Sequence, residues 1–161
     1  MKKLNISMGV FFIALNLLWP GSISAQETCK IQIVFPSKGN KVDLKGSIRG
    51  TAVVPPGMHL WVFAQREGQH NWWPQGGGHV KVKGSEGKWV VDATYGDESD
   101  PSKDKGANFN ITAVVLEDES RLVNYVEDTL KTGRYPGVEL PAAPSGGCSV
   151  KEDDEVTVTR K

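Results

Sequence analysis

From residue 31 onward the chain alternates apolar and polar residues with a period of two, and no other feature constrains the fold as much. Successive side chains on extended backbone point to opposite faces, so such alternation buries one side of a sheet and wets the other. Ile31, Ile33 and Phe35 share one face against Gln32 and Val34, and Pro36 with Gly39 closes the run. Val42 and Leu44 alternate with lysines and Asp43, and Ile48 stands between Ser47 and Arg49 in a strand that reaches Val53. Pro55-Pro56-Gly57 marks a turn, because neither proline can donate to a ladder. Residues 60–65 are apolar on both faces, as a central strand should be. Val80 and Val82 predict a short strand with His79, Lys81 and Lys83 facing out. Trp89, Val91, Ala93 and Tyr95 alternate with Lys88, Val90, Asp92 and Thr94; Phe109, Ile111, Ala113 and Val115 repeat the pattern, and Val156 and Val158 point inward in a last strand over 155–160. The fold class that follows is mainly β, an antiparallel sandwich of about seven strands separated by turn signals.

One segment follows a different rhythm. Leu122, Val123, Val126 and Leu130 lie at helical spacing, with Asp118 or Ser120 as N-cap and Gly133 past the end. The spacing predicts one helix over about 119–132, packed against an end or edge of the sandwich. The Tyr135-Pro136-Gly137 turn and the 141–147 stretch read as an extended connection. No repeat is visible.

Residues 1–25 stand apart from this pattern. Lys2 and Lys3 precede an apolar run from Ile6 to Leu18, Pro20-Gly21 breaks it, and small residues lead to Ala25. That order is the order of a secretory signal, and the run is too short for a transmembrane span. A lipid anchor on Cys29 is rejected because Gln26-Glu27-Thr28 precedes it, where lipoproteins usually carry small or apolar residues. The expected organisation is a signal peptide over 1–25 and a single domain over 26–161, periplasmic or secreted, with no stable membrane insertion after cleavage. Removing Lys2 and Lys3 from 19 basic residues leaves 17 against 19 acidic ones, a net charge of −2. Such a surface gives no electrostatic reason to bind nucleic acid or an anionic membrane.

The chain holds two cysteines, Cys29 and Cys148. An even count in an oxidising compartment reads as a structural disulfide. Closing so long a loop restricts the unfolded chain by about 4–5 kcal/mol before native strain is subtracted.

This organisation resembles the immunoglobulin-like or fibronectin-like sandwich domains of bacterial exported and surface proteins. The likeness covers residues 31–160 and rests on Ile31-Gln32-Ile33-Val34-Phe35-Pro36, Leu60-Trp61-Val62-Phe63, Trp72-Trp73-Pro74-Gln75, Lys88-Trp89-Val90-Val91 and Gly106-Ala107-Asn108-Phe109-Asn110-Ile111. The resemblance implies a binding or spacer module. The chain departs from it in the inserted helix and in lacking the intersheet cysteine pair of antibody domains.

Catalytic motifs are absent from the sequence. No glycine-flanked serine elbow, paired metal histidines or spare cysteine occurs, so the expectation is no enzyme, no metal and no cofactor. His59, His70 and His79 lack the close spacing of a helix or hairpin metal site and read as surface histidines. The acidic loop Asp97, Glu98, Asp100 and Asp104 lacks the spacing of a calcium loop, and Lys103 and Lys105 dilute its charge; it reads as solvated. So does the run Glu152-Asp153-Asp154-Glu155. The aromatics say more. Trp61 and Trp89 belong to strand cores, whereas Trp72 and Trp73 are adjacent and must point to opposite sides of an extended chain. Pro74 and Gly76-Gly77-Gly78 follow them, so the pair lies at the mouth of a loop. The expected contact residues are Trp72, Trp73 and Tyr135, and the expected function is non-enzymatic binding of an envelope or extracellular protein, or a glycan. A structural envelope domain is the alternative, and a small hydrolase with dispersed acids the third reading.

Overall fold

A computed structural model of the protein describes residues 29–84, 87–117, 121–133, 137–140, 148–149 and 155–161. In chain order the elements are β1 (Lys30–Phe35), β2 (Lys41–Val42), β3 (Lys45–Val53), β4 (Met58–Arg66), β5 (Trp73–Pro74), β6 (Lys88–Thr94), β7 (Asn108–Glu117), α1 (Arg121–Thr132), β8 (Cys148–Ser149) and β9 (Val156–Arg160). They build two mostly antiparallel sheets. The smaller runs β1-β3-β6; the larger runs β2-β9-β7-β4-β5, with β8 also paired to β7. Among the described residues only β2 and β9 pair in parallel.

The inward faces are those the alternation marks. Ile33 and Ile48 from the smaller sheet, with Trp89 and Val91, meet Leu60, Val62, Ile111, Val115 and Val158 from the larger. Burial of side chains of this size stabilises by roughly 1.5–3 kcal/mol each relative to exposure. Trp89 fits because Gly50 lies opposite it on β3; a Cβ there would collide with the indole and with the Gln32 carbonyl. The expected Cys29–Cys148 disulfide is present, with Cα atoms 6.1 Å apart. It joins the approach to β1 of the smaller sheet to β8 of the larger. Such a bond points to an oxidising environment outside the cytoplasm. No helix among the described residues is long and apolar enough to cross a membrane.

The helix lies elsewhere than at an end or edge. Trp61, Phe63, Val114 and Leu116 point away from the main core, out of the far face of the larger sheet. Val123 and Val126 of α1 cover them together with Val138, so the molecule has three layers. This third layer is why β4 is apolar on both sides. Beyond the helix the same sheet turns polar: Asn108 and Asn110 on β7 accept hydrogen bonds from Thr159 and Thr157 on β9, each at 2.9 Å. The Asp118 and Ser120 caps lie outside the described residues, while Gly133 ends the helix at φ +66° as expected.

Two further expectations fail locally. The 80–82 strand is reduced to isolated bridges, Val80 with Leu60 and Lys83 with Lys88, because the chain crosses there from the larger sheet to the smaller. Phe35 does not share the buried face of Ile33: a register shift between them turns it outward, 39% exposed, beneath the Arg49 guanidinium at 4.6 Å.

Candidate functional site

The outermost strands β5 and β6 lie on the same side of the sandwich, and a cleft of about 830 Å³ opens beside them. Its first wall comes from β5. Trp73 pairs with Ala64 of β4, and residues directly opposite in a ladder share a face. Both therefore face the side of the smaller sheet, and Trp73 lines the cleft with Ala64 and Pro74. Trp72 takes the other side, as extended backbone requires. It exchanges backbone hydrogen bonds of 2.8 Å each way with Val138 and packs at the margin of the helix-side cluster. Both indoles are half-buried. Tyr135 lies outside the described residues.

The floor is tied across the two sheets by one side chain. Gln75 is buried; its Nε2 donates to the Trp73 carbonyl at 3.0 Å and its Oε1 accepts the Thr94 N–H of β6 at 2.8 Å. Sequence reasoning missed this residue. Its only signal was a lone polar side chain between a strand-ending proline and three glycines.

The second wall is the acidic loop, and it is ordered by its own carboxylates rather than merely solvated. Asp104 is buried; Oδ1 sits 3.1 Å from Arg66 Nε, and Oδ2 accepts the Asp97 N–H at 3.1 Å. Gly96 permits this approach: at φ +113°, a Cβ there would stand 2.7 Å from Asp104 Oδ2. Hydrogen bonds from the Ser99 hydroxyl and N–H hold Asp97 below the usual carboxylate range, with Lys103 adding to the effect. Lys45, 2.8 Å away, and the Thr94 hydroxyl do the same for Glu98. These groups are open to solvent, so each contact contributes little to stability.

Asp92 on the β6 rim has no ion-pair or hydrogen-bond partner among the described residues. Phe109 and Leu130 add apolar surface. The cleft thus joins an indole, apolar patches and an excess of carboxylates over the cations Arg66 and Lys103.

The histidines divide. His70 is exposed, while His59 and His79 meet ring to ring at 4.2 Å, with His79 edge-on to Trp61 at 6.3 Å. This pairing joins β4 to the crossing segment and carried no sequence signal. Among the described residues, no three His, Cys, Asp or Glu side chains converge as metal ligands. Of the acidic run at 152–155, only Glu155 lies within the described residues. No protein-family model matches the chain, and no curated protein matches it either.

Proposed function

We propose that the protein is an exported, non-enzymatic binding module of the immunoglobulin-like kind, which holds a partner protein in the cleft between Trp73 and the 96–104 loop. The observation that carries this reading is the cleft itself, where a half-buried indole faces a charged loop across about 830 Å³. A half-buried tryptophan on a concave rim leaves apolar area that a partner can cover. Export, to the periplasm or beyond, is supported by the basic, apolar and small-residue order of residues 1–25 together with the disulfide.

Two observations weigh against the rival readings. Glycan binders use rows of exposed aromatics, whereas the large exposed aromatics among the described residues are Phe35 and Tyr125, on separate layers. A hydrolytic pair needs one carboxyl raised in pKa to act as the acid. Asp97 and Glu98 are lowered instead.

The test separates the two tryptophans. A photo-crosslinking residue at Gly77, on the cleft rim, should trap a partner in the native envelope. Trp73→Ala should abolish that adduct while the protein stays folded. Trp72→Ala should cost about 2–3 kcal/mol of stability, below the 3–5 of a fully buried aromatic, and leave trapping intact. An adduct that survives Trp73→Ala would place the contact surface elsewhere.

A further inference from the structure

Beside the cleft the larger sheet continues past β4 into β5, but on the side away from β3 no described strand pairs with β6 over most of its length. The phase of its hydrogen bonds fixes which backbone groups are left over. Lys88 exchanges N–H···O bonds of 2.8 and 3.1 Å with Lys83, on the side away from β3. Strand residues alternate, so residues 90, 92 and 94 point the same way and residues 89, 91 and 93 pair with β3. Gln75 takes the Thr94 N–H. The backbone groups of Val90 and Asp92 have no backbone partner among the described residues, and both residues are exposed.

Among the described residues this edge carries neither a proline nor a bulge. Natural edges are blunted by prolines, bulges, charged side chains or covering loops, and of these β6 has the charge of Asp92. Here β6 keeps an unbroken register with β3 from Lys88 to Thr94, and its exposed residue Val90 is 53% accessible. Gly76 and Gly77 line the cleft below it. Gly76 lies close against β6: a Cβ there would stand 3.0 Å from the Val91 side chain.

We infer that β6 receives a short extended segment of the partner protein as an additional antiparallel strand, with a basic residue opposite Asp92 and an apolar one opposite Val90. This rests on the binding reading above and specifies its partner. In that register Val90 and Asp92 each exchange two backbone hydrogen bonds with the residue opposite. The side-chain preferences follow from the surface. Among the described residues Asp92 has no counter-ion, on a cleft whose carboxylates outnumber its cations. Val90 ends a row that crosses the sheet as Phe35, Arg49 and Val90, and an apolar neighbour extends that row. The residue between the two points inward, over Gly76 toward Trp73. Backbone bonds supply the affinity and the alternate side chains supply the choice of partner.

The experiment titrates isotope-labelled protein with acetyl-Ser-Thr-Lys-Thr-Val-Thr-Ser-amide and follows amide and indole resonances by NMR. The expected result is movement of the Val90 and Asp92 amides and the Trp73 indole. Glutamate in place of the lysine should weaken binding about fivefold or more, since a favourable cross-strand pair becomes a like-charge one. N-methylation of the lysine and valine, whose amides would face β6, should abolish binding. N-methylation of the two threonines that flank the valine should not. Val90→Pro should also abolish it, because proline is tolerated where the N–H faces away from the ladder. If that variant does not fold, the methylated peptides decide alone. Equal binding in both methylation phases, indifference to the charge swap, or no shift at millimolar peptide overturns the inference. Gly77 trapping that depends on Trp73 but survives Val90→Pro would keep the cleft as the site and remove only the added strand.

Discussion

The two open sides of the sandwich are closed by different means. On one side a covalent bond, Cys29–Cys148, fastens β1 of the smaller sheet to β8 of the larger. On the other, the side chain of Gln75 reaches from the end of β5 to β6 through one hydrogen bond. A disulfide holds its side at one width whatever happens nearby. A hydrogen bond of this kind contributes about 1 kcal/mol and can be exchanged for a bond to something else. The cleft and the unpaired part of β6 both lie on this side, where the chain also crosses from the larger sheet to the smaller through the Val80–Leu60 and Lys83–Lys88 bridges. Rigidity at one margin thus permits a groove at the other without loss of register between the sheets.

The strongest way to break this comparison is to remove the covalent side. Cys29→Ala combined with Cys148→Ala should cost about 3–5 kcal/mol in urea unfolding. The Trp73 indole resonance should stay where it is, because the opposite margin is undisturbed. A loss under about 1 kcal/mol would mean that the stapled side is held by its core alone. A smaller effect belongs to the other side. Gln75→Ala leaves the Thr94 N–H without its partner and should cost about 1–3 kcal/mol. Amide hydrogen exchange should then quicken at Thr94 ahead of Val91, whose N–H faces β3. Equal acceleration along all of β6 would show that the glutamine supports the whole strand rather than its margin.

The smallest expected effect lies between the two sides. The Tyr95 ring is fully buried against Phe109, and its hydroxyl has no hydrogen-bond partner among the described residues. Tyr95→Phe removes that unsatisfied group and should be neutral or stabilising by up to about 1 kcal/mol. The two proteins should diverge further in alkali. Burial pushes the phenol well above its ordinary value of 10.0. Above that value the unfolded chain gives up the proton while the folded chain keeps it, so fewer protons are bound unfolded and stability falls as pH rises. Denaturation midpoints measured from pH 9 upward should decline less steeply in Tyr95→Phe, with the wild-type decline beginning at about pH 10.

Much of the fold was legible because a two-residue period leaves little choice. The strands around Ile33, Ile48, Leu60, Trp89, Ile111 and Val158 fall where the alternation puts them, with the expected side chains inward. Phe35 escaped because a single extra residue in a ladder reverses every later side chain, and no local residue type announces the shift. The helix was legible from Val123, Val126 and Leu130, but its resting place was not, since an apolar stripe does not name the surface it meets. That surface was nevertheless written into β4, where Trp61 and Phe63 make the second face apolar. The same asymmetry holds at the cleft. The opposite orientations of Trp72 and Trp73 follow from adjacency alone. The pairing of Arg66 with Asp104, the reach of Gln75 and the meeting of His59 with His79 depend on segments far apart in the chain.

The position of β9 has a consequence for how the molecule comes to be folded. β9 pairs with β7 on one side and with Lys41–Val42 on the other, and Val156 and Val158 fill part of the main core. Contacts between residues so distant in sequence form slowly, because the intervening chain must be gathered first. Until residues 156–160 have been synthesised, β7 has a bare margin and the hydrophobic interior stays open. The core of the sandwich therefore closes only when residues 156–160 join β7 and Lys41–Val42.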